Sequence, residues 1–217
     1  MTISSDSHQA PNGVRFEPWI GREYESVVGA RWLLLGESHY GEPGTETPEF
    51  TKDVVRELVF TKRYSYFTKI AKLVLGQSPG HFLTDEDLHK FWDRVAFYNY
   101  VQSLVGTAAR IRPTQSMWAA AQAPFLEVLG TLRPTHILVL GWELWRFLPL
   151  GSGERVVVLQ DGTRYAFREY QLASGKAVAG CVKHPSGRGT RYVEDRKVVE
   201  ALLDCTGDGG RAARASM

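Results

Sequence analysis

Four polar side chains follow one another without a gap where an apolar run ends: Glu37, Ser38, His39 and Tyr40. A carboxylate or an imidazole can hold or deprotonate a water molecule, and a serine hydroxyl can orient one. Glycines flank the group on both sides. The stretch WLLLGESHYG is therefore either an ordinary exit from a buried strand or one part of an active site.

Two later segments have the same form, a strand-like run that ends in polar chemistry. Residues 95–102 are β-rich and aromatic and carry Asn99, and residues 176–182 lead into a glycine-rich loop with His184. In open sheets with parallel strands, ligands bind outside the carboxyl ends of the strands. We therefore expect the three loops to converge at one edge of the sheet.

The elements that must position these loops alternate between strand and helix. Buried strands are predicted at 30–36 and 135–141, and a hairpin turns at Asp161-Gly162. Helical spacing and caps predict helices between them, including one over about 114–132 that Pro124 breaks or kinks. This pattern predicts an α/β fold with three α/β/α layers around a central, mostly parallel sheet, and with the hairpin at an edge.

Bulk composition narrows the class of protein. The 217 residues, 43% hydrophobic and 23% charged, are typical of one globular domain, which we expect at 14–204 between flexible tails at 1–13 and 205–217. A net charge of +2 does not by itself indicate a nucleic-acid-binding protein. Two cysteines are too few for a four-cysteine metal or iron–sulfur site. No apolar run is long enough to span a membrane, and the start of the chain does not resemble a secretory signal, so we expect a cytoplasmic protein.

The three loops resemble motifs of the uracil-DNA glycosylase superfamily. LLLGESHYG is similar to its first motif, in the Gly-Glu-small-Pro-Gly form of the iron–sulfur branch. FYNYVQ is similar to the segment whose asparagine reads uracil, ILVLGWELWRFL to the strand and helix before the last motif, and VKHPSGRG to the last motif, His-Pro-Ser. The resemblance runs over residues 30–204 in the family's motif order and implies that family's fold.

The resemblance also implies a chemistry and a set of residues. A glycosylase hydrolyses the base–sugar bond, so the base becomes negative and the sugar positive; His184 would donate to the base oxyanion, while Glu37 would hold the water or offset the sugar's charge. The expected catalytic residues are Glu37 and His184 from the resemblance, together with Ser38, which can orient a water molecule, and His39, which could substitute as the base. The implied base site, with an aromatic wall for a flipped base, consists of Gly36, Tyr40, Phe50, Tyr98 and Asn99.

Local charge agrees with a nucleic-acid partner. Residues 183–197 contain five basic residues and two acidic ones, and glycines there let backbone amides approach a phosphate. The expected DNA contacts are Lys183, Ser186, Gly187, Arg188 and Arg191. We expect a monomer that binds single- or double-stranded DNA or a nucleobase-containing ligand, with no metal and no cofactor.

Departures from the family pattern keep other functions open. Many members have Asp or Asn where Ser38 stands and Pro where His39 stands, and the apolar wedge after His-Pro-Ser is replaced by Gly-Arg-Gly. An inactive module of the same fold that binds a nucleobase or nucleic acid is therefore the main alternative. A second alternative is a glycosylase that acts on another base. A serine hydrolase with Ser38 as nucleophile is less favoured, because Tyr40 occupies the second glycine of that motif.

Overall fold

The computed structural model describes residues 13–108, 110–186 and 191–205, and within them seven strands form one mixed sheet. The strands are β1 (Trp19–Ile20), β2 (Trp32–Gly36), β3 (Ala96–Asn99), β4 (His136–Leu140), β5 (Gly153–Val158), β6 (Arg164–Leu172) and β7 (Gly175–Val182). The helices are α1 (Phe50–Val55), α2 (Ser65–Leu75), α3 (Asp85–Trp92), α4 (Gln115–Ala120), α5 (Gln122–Leu132), α6 (Trp142–Phe147) and α7 (Tyr192–Asp204). A π-helical segment, Arg56–Thr61, continues α1, and a 3₁₀ turn occupies Tyr24–Ser26.

The centre of the sheet is parallel. The strand order is β1-β3-β2-β4-β7-β6-β5. The pairs β3–β2, β2–β4 and β4–β7 are parallel. β1 adds an antiparallel edge on one side, and the β5–β6 hairpin adds one on the other. The predicted α/β class, the mostly parallel centre and the edge hairpin are therefore confirmed.

Side chains of the central strands alternate between two core clusters. Leu34 and Leu138 belong to one cluster, whereas Leu33 and Leu35 belong to the other, because successive strand residues point to opposite faces. Helices α2, α3 and α7 contribute to the first cluster, and α4, α5 and α6 contribute to the second. Burial on both faces explains why these strands are apolar at nearly every position.

Local sequence signals explain several helix boundaries. Thr84 caps α3 by accepting from the backbone N–H of Asp87 at 3.1 Å, while Asp87 accepts from the backbone N–H of Thr84. The predicted helix over 114–132 is in fact two helices that meet at Ala121. Pro124 lies in the first turn of α5, where a missing backbone N–H costs least.

The ends of the predicted domain fall near the limits of the described residues. Of the predicted tails, only Gly13 and Cys205 lie within the described part of the chain. Cys181 and Cys205 are both buried free thiols, and burial raises their pKa to about 12 and about 11. In the described ranges, no helix combines the length and apolar character that crossing a membrane requires.

Candidate active site at the carboxyl edge of the parallel strands

The first two predicted loops lie side by side because strand pairing continues beyond the ends of β2 and β3. Gly36 is the register partner of Asn99. The backbone N–H of Tyr100 donates to the carbonyl of Gly36, and that of Val101 donates to the carbonyl of Glu37, both at 2.9 Å. Glu37 therefore leaves the sheet directly beside the Asn99 loop.

Gly36 gives Asn99 the space that its side chain occupies. A Cβ atom built on Gly36 would lie 2.1 Å from Oδ1 of Asn99, far closer than non-bonded atoms approach. Nδ2 of Asn99 donates to the carbonyl of Ser38 at 3.2 Å, and the side chain is nearly buried. The Asn99 amide is thus held against the first loop, with Oδ1 beside Gly36 and Nδ2 on the carbonyl of Ser38.

Glu37 forms an ion pair that sequence reasoning missed. Nη1 of Arg112 donates to both carboxylate oxygens at 3.0 Å, and the Glu37 side chain is only 11% exposed whereas Arg112 is 67% exposed. Burial raises the pKa of Glu37; Arg112 acts against that rise and Glu143 adds to it. Arg112 lies in the connection between β3 and α4, where neither periodicity nor a motif singles it out.

His184 follows β7 and has one nitrogen already assigned. The backbone N–H of Ser186 donates to Nδ1 at 3.2 Å, so Nδ1 carries no proton and Nε2 carries one. His184 stays accessible to solvent, but partial loss of water around its ring lowers its pKa, and the charge of Arg112 lowers it further. Cβ and Cδ2 of His184 each lie 3.8 Å from where a Cβ of Gly141 would be, which places the loop beside the end of β4. The imidazole is therefore a neutral hydrogen-bond donor through Nε2.

Tyr66, on α2, connects the Glu37 and His184 loops and was also missed. Its ring packs against His184 with centroids 5.3 Å apart and planes inclined by 31°. Burial raises the pKa of Tyr66, and the charge of Glu37 raises it further. Glu37, Arg112, Tyr66 and His184 thus share one electrostatic environment.

His39 lies elsewhere, and its predicted role as a base is corrected. Its Nε2 is 2.9 Å from Oγ1 of Thr51, and its ring packs edge-on against Phe16 and Phe50, with centroids 5.3 and 5.0 Å away. The side chain is 4% exposed, and burial lowers its pKa to about 3. His39 is therefore a core residue, and Phe50 covers it instead of forming an open aromatic wall.

The other predicted wall and loop residues have different environments. Tyr98 is fully buried in the second core cluster, so it is not the wall of a pocket. Tyr40 is exposed at the surface of the first loop, and Trp142 is exposed at the start of α6. The hydroxyl of Ser38 is buried and has no hydrogen-bond partner among the described residues, so no base activates it as a nucleophile there.

The predicted DNA contacts fall partly within the described residues. Ser186 is exposed next to His184. The backbone N–H of Lys183 donates to Oδ1 of Asp195 at 3.0 Å, and Nη2 of Arg191 lies 3.4 Å from Oε1 of Glu194. Gly187 and Arg188 lie outside the described residues.

The edge therefore combines a carboxylate, a guanidinium, an amide and a neutral imidazole near the carboxyl ends of β2, β3 and β7. Such a set can bind a polar planar ligand and stabilise charge that develops on it. Within the described ranges, no three His, Cys, Asp or Glu side chains are grouped so as to hold a metal ion. A comparison with protein-family models finds no match, and a comparison with curated proteins finds none either.

Proposed function

We propose that the chain is a glycosylase of the uracil-DNA glycosylase type, which hydrolyses the bond between uracil or a related base and its sugar. The observation that carries this proposal is the His184 imidazole, held as a neutral Nε2 donor at the same sheet edge as Asn99 and Glu37. The proposal includes a three-layer α/β/α fold, for which the two core clusters and their separate sets of helices are the support.

His184 would stabilise the leaving base. Negative charge develops on a base oxygen as the bond to the sugar breaks, and a fixed N–H donor is worth most where charge appears only in the transition state. Because partial desolvation and Arg112 lower the pKa of His184, the ring is neutral at pH 7 and keeps its Nδ1 acceptor for Ser186. One such donor contributes about 3 to 4 kcal/mol.

Asn99 and Glu37 would complete the reaction on either side of the bond. The Asn99 amide offers an acceptor and a donor on one plane, which matches the edge of uracil. The Glu37 carboxylate would offset the positive charge on the sugar or hold the attacking water. Glu37 must then exchange Arg112 for substrate: Arg112 is 67% exposed and can move into solvent, and the positive charge on the sugar replaces it beside the nearly buried carboxylate.

The test is excision from labelled single- and double-stranded oligonucleotides that carry one uracil, with alkali used to cleave abasic sites. We expect His184→Ala to slow excision by about 10²- to 10³-fold. Glu37→Gln removes the carboxylate charge and is also expected to slow excision. His81→Ala, which changes an exposed histidine in the loop between α2 and α3, is the matched control and should leave the rate unchanged. Absence of cleavage in both strand forms would overturn the uracil assignment.

A second candidate is a module of the same fold that binds a nucleobase or nucleic acid without hydrolysis. The observation that favours it is the Arg112 contact, which engages both oxygens of Glu37, together with the enclosure of His39. Those two features leave the first loop without a free base. Binding of the same oligonucleotides without any cleavage, weakened by a change at Asn99, would support this module over the enzyme.

A further inference from the structure

A basic groove lies next to the His184 loop, between α2 and the segment that follows β7. Its volume is about 360 Å³, and Pro185, which follows His184, is part of its wall. Four basic side chains line the groove, and Asp195 is the acidic one among the described lining residues. The basic residues are Arg63, Lys69, Lys72 and Lys183.

The two lysines of α2 contact neutral groups. Nζ of Lys69 donates to the carbonyl of Pro185 at 3.3 Å, and Nζ of Lys72 donates to the carbonyl of Pro79 at 2.8 Å. A carbonyl does not neutralise an ammonium group, so both positive charges still act on the groove. Asp195 opposes them only in part, because it contributes one carboxylate against two ammonium groups, and that carboxylate also accepts from the backbone N–H of Lys183.

The hydroxyl of Thr68 is a polar group with no hydrogen-bond partner among the described residues. The Thr68 side chain lines the same groove, and its Oγ1 is buried. A buried hydroxyl without a partner costs free energy. Because the hydroxyl is closed to water here, a bound acceptor reaches it only when a side chain of the groove wall moves aside. Phosphate oxygens are strong acceptors for both hydroxyl and ammonium donors.

We propose that this groove binds a backbone phosphate of the nucleic-acid strand whose base enters the site at His184. The inference rests on the proposed function and adds to it a place for the strand outside the base site. Helix α2 supports the link, since Tyr66 packs on the His184 ring while Thr68, Lys69 and Lys72 of the same helix line the groove. Pro185 joins the two places along the chain.

The test measures the affinity for a fluorescent oligonucleotide without uracil over a range of salt concentrations. Lys72→Gln is the main variant, because Lys69 also holds the carbonyl of Pro185 and Lys69→Gln can disturb the loop. We expect Lys72→Gln to weaken binding equally for all sequences and to lower the magnitude of the salt slope by about 1. Lys90→Gln, the same charge change on an exposed residue of α3, should leave the slope unaltered.

Thr68→Val is a second variant that keeps the shape of the side chain. It is expected to weaken oligonucleotide binding while the unfolding midpoint in urea stays the same or rises, because an unpartnered buried hydroxyl is lost. Unchanged affinity and salt slope in both Lys72→Gln and Thr68→Val would overturn the proposal that the groove binds a backbone phosphate, even if uracil excision is observed. A lowered slope in a protein that excises nothing would support the groove and remove the glycosylase assignment.

A further arm separates a strand from a small phosphate ligand. Thymidine monophosphate is added as a competitor against the labelled oligonucleotide. We expect it to compete far less well per phosphate than an unlabelled oligonucleotide, because a strand presents several linked phosphates to the basic surface at once. Equal competition per phosphate would overturn the assignment to a strand.

Discussion

The two edges of the parallel sheet place histidine side chains in opposite environments. At the N-terminal edge, β4 starts with His136, whose fully buried ring packs on Trp32 with centroids 4.9 Å apart and whose Nδ1 is 2.8 Å from Oγ1 of Thr135. At the carboxyl edge, His184 is exposed, and its Nδ1 is satisfied by a backbone N–H. One histidine is enclosed in the core, and the other is open to solvent.

Glycine accounts for much of this difference. At the carboxyl edge, Gly36 is the last residue of β2 and Gly141 follows β4. Asn99 fills the space beside Gly36, and His184 faces the space beside Gly141. At the opposite edge the same two strands begin with Trp32 and His136, which are large and buried. A parallel sheet can therefore be closed at one edge for stability and open at the other for binding.

The largest expected effect is a loss of folding stability at low pH, caused by the enclosed histidines. The enclosed histidines His39 and His136 have pKa values lowered by burial to about 3 and about 4. Below pH 6.5 the unfolded chain binds protons that the folded chain does not, so stability falls as pH falls from about 6.5 towards 4. The two together should cost on the order of 5 kcal/mol at pH 4. Urea unfolding between pH 4 and 7 measures this loss, and His39→Gln should make the dependence less steep; an unchanged dependence would contradict the enclosure.

Removing each ring separately should sharpen the comparison. His136→Ala leaves a cavity beside Trp32 and removes one of the hydrogen-bond partners of the Thr135 hydroxyl, so it is expected to lower the free energy of unfolding by about 3 kcal/mol. His184→Ala should lower it by no more than about 0.5 kcal/mol, because that side chain is exposed. Urea unfolding at pH 7 compares the two. A loss of similar size in both variants would show that His184 is a structural residue.

Gly36→Ala should damage the open edge with a moderate effect on stability. The added Cβ would overlap Oδ1 of Asn99, so the amide must move away from the carbonyl of Ser38. We expect a cost of about 1 to 3 kcal/mol in folding and a clear weakening of ligand binding. Unfolding and oligonucleotide binding are measured together, with Gly80→Ala, which meets no atom within 4 Å, as the control. Unimpaired binding would contradict a role for the Asn99 amide.

Arg112→Gln should give the smallest effect. The guanidinium is largely exposed, so its loss should change stability by less than about 1 kcal/mol. Since Arg112 opposes the rise in the pKa of Glu37, removing it should raise that pKa further. If Glu37 acts as a carboxylate, the acidic limb of the pH–rate profile for excision should then move to higher pH. A limb that stays in place would mean that Glu37 does not control it.

Strands and caps were predictable from sequence because their causes are local. Strand β2 is apolar at every position since both its faces are covered, and Thr84 and Pro124 mark helix boundaries through their own backbone chemistry. Loop order along a parallel sheet also predicted that the Glu37 and Asn99 loops would meet. Strand β1 was missed because two residues carry no periodicity.

Side-chain partners between distant segments were not predictable in this way. The enclosure of His39 depends on Phe16 and Thr51, and the pairing of Glu37 depends on Arg112, none of which lies in the same motif. Tyr66 belongs to a helical run, and helical spacing does not indicate that its ring packs against His184. Spacing identifies which strand ends meet, whereas packing decides which side chains remain open.

The parallel pairing described above also has a kinetic consequence. Leu33 pairs with Ala96 on one side and with Ile137 on the other, and Ile137 pairs with Ala179, so each contact closes a long loop of chain. Closing long loops before any contact repays the lost entropy slows folding. The proposed site takes Glu37, Asn99 and His184 from the ends of three of these strands, so it forms only when β7 joins the sheet. The proposed uracil excision should therefore return on refolding with the slowest structural phase, and a fragment that ends before β7 should have none.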